Sequence, residues 1–482
     1  MLRYPKTKSS ISVLSTLIKS KTLEKVRSAT KVRISPYKSE LPDADFGDFD
    51  TKACEKCHFK RTRNISLPSL PQIPSPSDKS FNSIFLRKIE LCETLCDYSN
   101  PRNDSFAKEI KKRTLIEISN FLSVMGVMSF IHIEVKMELF NMILINLLRP
   151  IQRLKEIDIV NHDVTQFKLD DYEHLEQIYS IMNSVYNEFY NMRLFTADFA
   201  IKVSNILYSK DVNERNNCIA FYTRLLANHD YFIRILPYFL KILSFEYERN
   251  PLTISTVLEI INECIHKDMT YVELIYPYIF SHFLQLLRRD TLIFYNNSLF
   301  SIFDNILSLY TNLSPKILQF IIQIWPTTNP TKEILIYDYL IKSIESINFS
   351  QKNLLTRAFY IIGNCINSNG FKIAEKANKS LSKPPLIVVL SRNASLLLPN
   401  ILSKVESAKS HWSNKVRLAA IETFNIISKY SVDISQWKRN TKVELDRKRS
   451  NWINIVRAGN LVSGQELTDV LGKVVKLYKY NV

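Results

Sequence analysis

An all-α, HEAT- or armadillo-like helical-repeat superhelix with a disordered basic N-terminal tail is the fold class that three observations predict. Glycine is scarce, with seven among 482 residues. Apolar residues recur at helical spacing from about residue 80 onward. The breaks between those series are short, polar and marked by proline.

Sheet proteins and nucleotide-binding α/β folds use glycine for tight turns and phosphate loops. A chain this poor in glycine is most easily built from helices and short polar turns. Hydrophobic residues make up 46% and charged residues 23%, a globular balance.

The periodicity is regular. Ile254, Val257, Leu258, Ile261 and Ile265 follow the i, i+3, i+4, i+7, i+11 pattern of one buried helix face, and Ile334, Tyr337, Ile341, Ile344 and Ile347 repeat it. Breakers lie between the series: Asn250-Pro251, Asn312 to Pro315, Pro326 to Pro330, Asn369-Gly370 and Pro384-Pro385. Asn250, Ser314 and Asn329 stand where N-caps belong, each followed by proline at the first helical position. The spacing predicts roughly sixteen to eighteen helices in antiparallel pairs of about 35–45 residues, the period of HEAT and armadillo solenoids. Such a stack offers long faces rather than a closed cavity, which suits protein partners and extended peptides.

The domain organisation follows from composition: residues 1–79 as a disordered tail, 80–460 as the solenoid, and 461–482 as a C-terminal helical tail. The tail holds Leu67-Pro68-Ser69-Leu70-Pro71-Gln72-Ile73-Pro74-Ser75-Pro76, where proline blocks helix and strand alike. Ser35-Pro36 and Ser75-Pro76 are weak proline-directed phosphorylation signals. The formal charge is +17, and residues 1–38 hold ten Lys/Arg against Glu24 alone. The tail therefore carries about half the excess, and the rest of the chain is only mildly basic, which argues against nucleic acid as the principal partner. A transit-peptide reading of the first thirty residues competes with a plain solvated tail, and the tail is preferred.

Seven cysteines, an odd number and mostly within apolar helical stretches, suit a reducing compartment with buried thiols. Apolar runs stay short of a membrane span; the richest, Val124 to Val135, is interrupted by Ser129, His132 and Glu134. The expected location is cytoplasmic, with the nucleus as a second site, and no membrane partner is expected.

Motifs for chemistry are thin. Cys54-Glu55-Lys56-Cys57-His58 matches a haem-attachment or half-zinc pattern, yet no second ligand pair stands nearby, since Cys92 and Cys96 are spaced for one helix face. The eight histidines are scattered, and no nucleophile elbow, Walker loop, H-E-x-x-H or EF-hand loop occurs. The reading is no enzyme, no catalytic residue, no metal and no cofactor. Lys438, Arg439, Lys442, Arg447, Lys448 and Arg449 form a basic run that Glu444 and Asp446 turn into a solvated helix.

Several blocks, taken in order, resemble one family. They are Leu67-Pro68-Ser69-Leu70-Pro71, Leu86-Arg87-Lys88-Ile89-Glu90-Leu91-Cys92 with Asp97-Tyr98, Lys108 to Leu115, and Asp211 to Arg215. Further along come Trp325-Pro326-Thr327-Thr328 with Lys332-Glu333, Phe371 to Ala377, and His411-Trp412. Together they resemble the B-prime (56-kDa) regulatory subunits of protein phosphatase 2A, from about Leu67 to Gly459. The resemblance implies docking on a phosphatase scaffold subunit and a catalytic subunit to form a heterotrimer. It implies a phosphatase-facing loop with Asp211, Glu214 and Arg215. It also implies a groove reading substrate peptides of the form Leu-x-x-Ile-x-Glu, with Arg224, Glu259 and Ile260 on groove positions. Thr223, Leu226, Glu273 and Tyr276 stand where the family carries His, Tyr, Lys and His, which predicts a weaker grip on an acidic peptide. The function expected is a non-catalytic targeting subunit. The alternative is a generic solenoid adaptor without phosphatase contacts, with basic ends that bind nucleic acid.

Overall fold

The computed structural model describes residues 65–96, 103–149, 151, 172–245, 250–347, 351–430 and 446–459. The chain divides into Met1–Ile65 and Ser66–Val482, and every described helix belongs to the second unit. The Cys54/Cys57/His58 motif, Ser35-Pro36, Lys438, Arg439, Lys442 and the 461–482 segment lie outside the described residues. Residues 66–79, expected in the tail, belong to the helical unit. They run as irregular chain in which Leu67 is buried and the Ile73 amide donates to Glu117 Oε1.

Helices dominate, and the described residues contain no strand. In order they are α1 (Phe81–Glu93), α2 (Ser105–Leu122), α3 (Ile133–Leu147), α4 (Tyr172–Asn191), α5 (Ala197–Lys202), α6 (Val212–Leu225), α7 (His229–Phe245), α8 (Pro251–Lys267) and α9 (Tyr271–Ile275). The series continues with α10 (Asn296–Leu309), α11 (Ser314–Gln323), α12 (Pro330–Glu345), α13 (Lys352–Ile366), α14 (Phe371–Leu381), α15 (Pro384–Arg392), α16 (Ala394–Ala408) and α17 (Asn414–Ile427).

In the packing, most of the longer helices meet their counterpart in the next repeat. One row runs α2, α4, α6, α8, α10, α12, α14, α17, and the other includes α1 with α3, α5 with α7, and α11, α13 and α16. From α4 on, members of the first row begin at 172, 212, 251, 296, 330, 371 and 414, intervals of 34 to 45 residues. This is the helical-repeat period read from the sequence, and the two-layer arrangement follows because no lone pair can bury its apolar stripe.

Local chemistry sets the helix starts. Asn250 and Asn329 cap α8 and α12, accepting from the Thr253 and Lys332 amides at 3.3 and 3.1 Å, with proline at the first position. Ser314 departs from expectation. It is the first residue of α11 rather than its cap, and its buried hydroxyl donates to the Ser343 carbonyl of α12. The apolar stretch Val124 to Val135 is not one helix: Gly126 sits at φ +82°, the left-handed region that glycine enters without strain, and the chain turns there into α3. Between α9 and α10 the second row is irregular, passing through a π-turn at Ile279–Phe283.

The core where α3 to α6 meet is aromatic. Phe140, Phe189, Phe195, Phe199 and Phe221 lie ring to ring at 5.0 to 6.1 Å. This fixes α4 against α6, the pair that carries the candidate site.

Candidate docking site

The site is built on the first-row helices α4, α6 and α8. Helix α6 begins at Asp211, whose carboxylate accepts from the Asn213 and Glu214 amides at 2.7 and 3.0 Å, satisfying donors that a helix start leaves open. Glu214 then points inward. It accepts from Arg149 Nη2 at 2.8 Å and from the Tyr179 hydroxyl at 3.0 Å. Tyr179 is on α4, so this carboxylate ties two repeats and the loop after α3 together. Burial pushes the Tyr179 phenol well above its ordinary range, which keeps it a hydrogen-bond donor. Arg215 donates to the carbonyls of Ser209 and Lys210, and burial lowers its pKa.

Asp211, Glu214 and Arg215 are therefore interior residues. Asp211 and Glu214 have no exposed surface and Arg215 retains 7%. The side chains assigned to a phosphatase-facing loop thus lie beneath the surface at the start of α6. Asp211 is met by the amides of the first turn of α6, Glu214 by Arg149 and Tyr179 remote in sequence, and Arg215 by backbone carbonyls of the preceding loop, and burial without such partners would be prohibitive.

Arg224, at the other end of α6, is exposed. Its Nη2 donates to Asn187 Oδ1 of α4 at 2.8 Å, and its guanidinium carbon lies 3.7 Å from the centre of the Tyr186 ring. The stacking fixes a cation at the surface in one orientation. Ile260 does not join it. Ile260 has no exposed surface, because α8 lies between α6 and α10 and is buried nearly all round. An apolar pocket wall needs an accessible face, and in this structure Ile260 presents none. Glu259 is half-buried, accepts from the Ser255 hydroxyl at 2.9 Å, and has its pKa raised by burial against the opposing pull of Arg215. Of the three groove residues, only Arg224 presents its side chain freely to solvent.

Beside α6, on its α4 side, lies an open cleft of about 530 Å³ lined by Glu176, Tyr179, Ser180, Asn183, Ser184, Asn213, Asn216 and Asn217. These asparagines were passed over in the sequence. Their signal was there: carboxamides at 183 and 187 on α4, and at 213, 216 and 217 on α6, share helix faces at i, i+3 or i+4 spacing.

The described cysteines, Cys92, Cys96, Cys218, Cys264 and Cys365, are all buried and free. No group of His, Cys, Asp and Glu among the described residues is arranged to hold a metal ion. No described helix is long and apolar enough to cross a membrane. What the site offers is recognition through hydrogen bonds and one oriented cation.

The family described as protein phosphatase 2A regulatory B subunit (B56 family) matches residues 70–458. Among individual relatives, the 59-kDa B' eta regulatory isoform of serine/threonine protein phosphatase 2A from Arabidopsis thaliana is 22% identical over 405 residues, covering 79% of this chain and 78% of its own. The 56-kDa regulatory subunit delta 2 isoform of Schizosaccharomyces pombe is 23% identical, covering 78% of this chain and 62% of its own. The delta isoform of Saccharomyces cerevisiae is 24% identical over 79% of this chain, which spans about half (52%) of that protein. With a match that runs through the stack from before α1 to beyond α17, the chain belongs to the B56 family of protein phosphatase 2A regulatory B subunits.

Proposed function

We propose that this chain is a non-catalytic regulatory subunit of a protein phosphatase 2A holoenzyme, docking on the scaffold and catalytic subunits and recruiting substrates to them. The observation that carries the reading is the extent of the family match, which takes in every helix from α1 to α17. A subunit of this kind acts by position and contributes no reacting group. Asp211, Glu214 and Arg215 serve the phosphatase-facing side from within, by fixing the loop before α6 and the start of that helix. Arg224 is the anchor for an acidic side chain of a substrate peptide, a charge-assisted contact made stronger by its fixed orientation. The protein works in the cytoplasm and the nucleus.

The test is assembly. The full chain is mixed with purified scaffold and catalytic subunits at physiological salt and resolved by size-exclusion chromatography. Co-elution of three chains supports the reading, and failure of the chain to join the scaffold and catalytic pair refutes it. A labelled Leu-x-x-Ile-x-Glu peptide tests Arg224. Arg224→Glu should weaken its binding about tenfold or more while leaving the circular dichroism spectrum and melting curve nearly unchanged, as surface substitutions do. Unchanged affinity removes Arg224 from the role.

A further inference from the structure

We infer that the cleft between α4 and α6 is a binding site for an extended polypeptide segment held mainly through its backbone. Neither Glu259 nor Ile260 lines it, and Arg224, the anchor proposed above, stands beyond its lining at one end; the inference does not depend on phosphatase assembly.

The lining is the first argument. Six of the eight residues around the 530 Å³ cleft carry a carboxamide or an aliphatic hydroxyl, and none is aliphatic. An apolar helix or a lipid surface finds nothing to bury there. Among the described residues, no hydrogen bond occupies the side chains of Asn183, Asn213 and Asn216, so each offers a donor and an acceptor. A ligand that answers both at every step is a peptide backbone, which alternates N–H and C=O.

Spacing is the second argument. On α4 the polar side chains stand at 176, 180, 183 or 184, and 187, and on α6 at 213, 216 or 217, with Arg224 two turns further on. One turn of helix advances about 5.4 Å. An extended chain repeats every two residues, about 6.6 Å, on the face it presents. The two repeats differ by about 1.2 Å per turn, a mismatch that flexible carboxamide side chains take up over two or three turns. Each wall therefore meets successive backbone groups on one face of the segment. From Glu176 to Asn187 is about 16 Å along α4, the length of about five extended residues.

Charge sets the direction. Glu176 stands at one end of the row. At the other, Asn187 accepts from Arg224. The segment that fits has a basic side chain toward Glu176 and an acidic one toward Arg224, about five residues apart. The middle side chains are unrestricted, because nothing in the cleft forms an apolar pocket.

The experiment uses the full chain, immobilised, and a randomised octapeptide display library. Recovered sequences should carry a basic residue and an acidic residue four or five positions apart, with no preference between them. Binding of a synthetic peptide from that set should fall at least tenfold in Asn183→Ala/Asn216→Ala. Both residues are exposed, so the variant keeps its fold. N-methylation of alternate backbone amides on the peptide face should abolish binding. The inference is overturned if the library yields no enrichment. It is overturned equally if recovered peptides bind the double variant as tightly as the original chain, or if the N-methylated peptides bind undiminished.

Discussion

Replacing Glu214 with alanine should loosen the joint between α4 and α6 more than any single surface change. The carboxylate has no exposed surface, and it accepts from Arg149 and from the buried Tyr179 hydroxyl. Removing it strips both donors of this acceptor. Breaking a fully buried ion pair costs about 3–5 kcal/mol. The Arg149 side chain keeps 15% of its surface, which allows some rehydration and favours the lower end, about 3 kcal/mol. Because a repeat stack opens locally rather than all at once, amide hydrogen exchange is the suitable assay. About 3 kcal/mol corresponds to about a hundredfold faster exchange in α4 and α6, with α12 to α17 unaffected. Glu214→Gln, which leaves an acceptor for Tyr179 but no charge for Arg149, should fall between. The pair Arg149→Met/Glu214→Leu should be less damaged than Glu214→Ala alone, since an apolar pair strands no charge. An acceleration under tenfold in Glu214→Ala would refute the view that this carboxylate joins the repeats.

Asp211→Ala removes the α6 cap and should cost about 0.5–2 kcal/mol, seen as faster exchange confined to the first turn, at the Asn213 and Glu214 amides. Burial pushes the Cys92 and Cys264 thiols up to about 12, and it also raises those of Cys96, Cys218 and Cys365, so a thiol reagent at pH 8 should label none of the five until urea unfolds the chain. Burial raises the phenols of Tyr179, Tyr222 and Tyr339 far above their ordinary value. A raised folded-state pKa favours the neutral form, so their stabilisation is complete below about pH 10 and is lost as pH rises beyond it. Phenolate absorbance from these groups should therefore appear together with loss of helix, and ionisation at about pH 10 with helix intact would contradict their burial.

The fold was legible because its signals are local. Asn-Pro at 250–251 and 329–330 specifies a capped helix start within a few residues, and both caps form. Ser314-Pro315 shows the limit: the same dipeptide type serves when serine is the first helical residue, and only the arrival of Ser343 from the next repeat decides where its hydroxyl goes. The candidate site was less legible for a related reason. Arg224, expected on a groove, is exposed, but the Tyr186 ring and Asn187 side chain that orient it come from α4, 38 and 37 residues earlier. The burial of Glu214 is not legible locally because its partners, Arg149 and Tyr179, are 65 and 35 residues away. Ile260 lies on α8, which also carries Glu259, Glu263 and His266, so it is the packing of α6 and α10 on either side, not the local pattern, that leaves Ile260 without exposed surface.

The ion pairs that link α10, α12 and α14 are only partly buried and carry modest stability, but their order pins α12 in place. Asp304 of α10 pairs with Lys342 of α12, and Asp338, one turn earlier on α12, pairs with Lys376 of α14. If α12 slid one turn toward its C-terminal end, Asp338 would arrive opposite Asp304. One turn the other way, Lys342 would meet Lys376. Either slip exchanges an attraction for a repulsion at one neighbour, so two weak contacts of alternating sign work as a two-way detent that holds successive repeats in register.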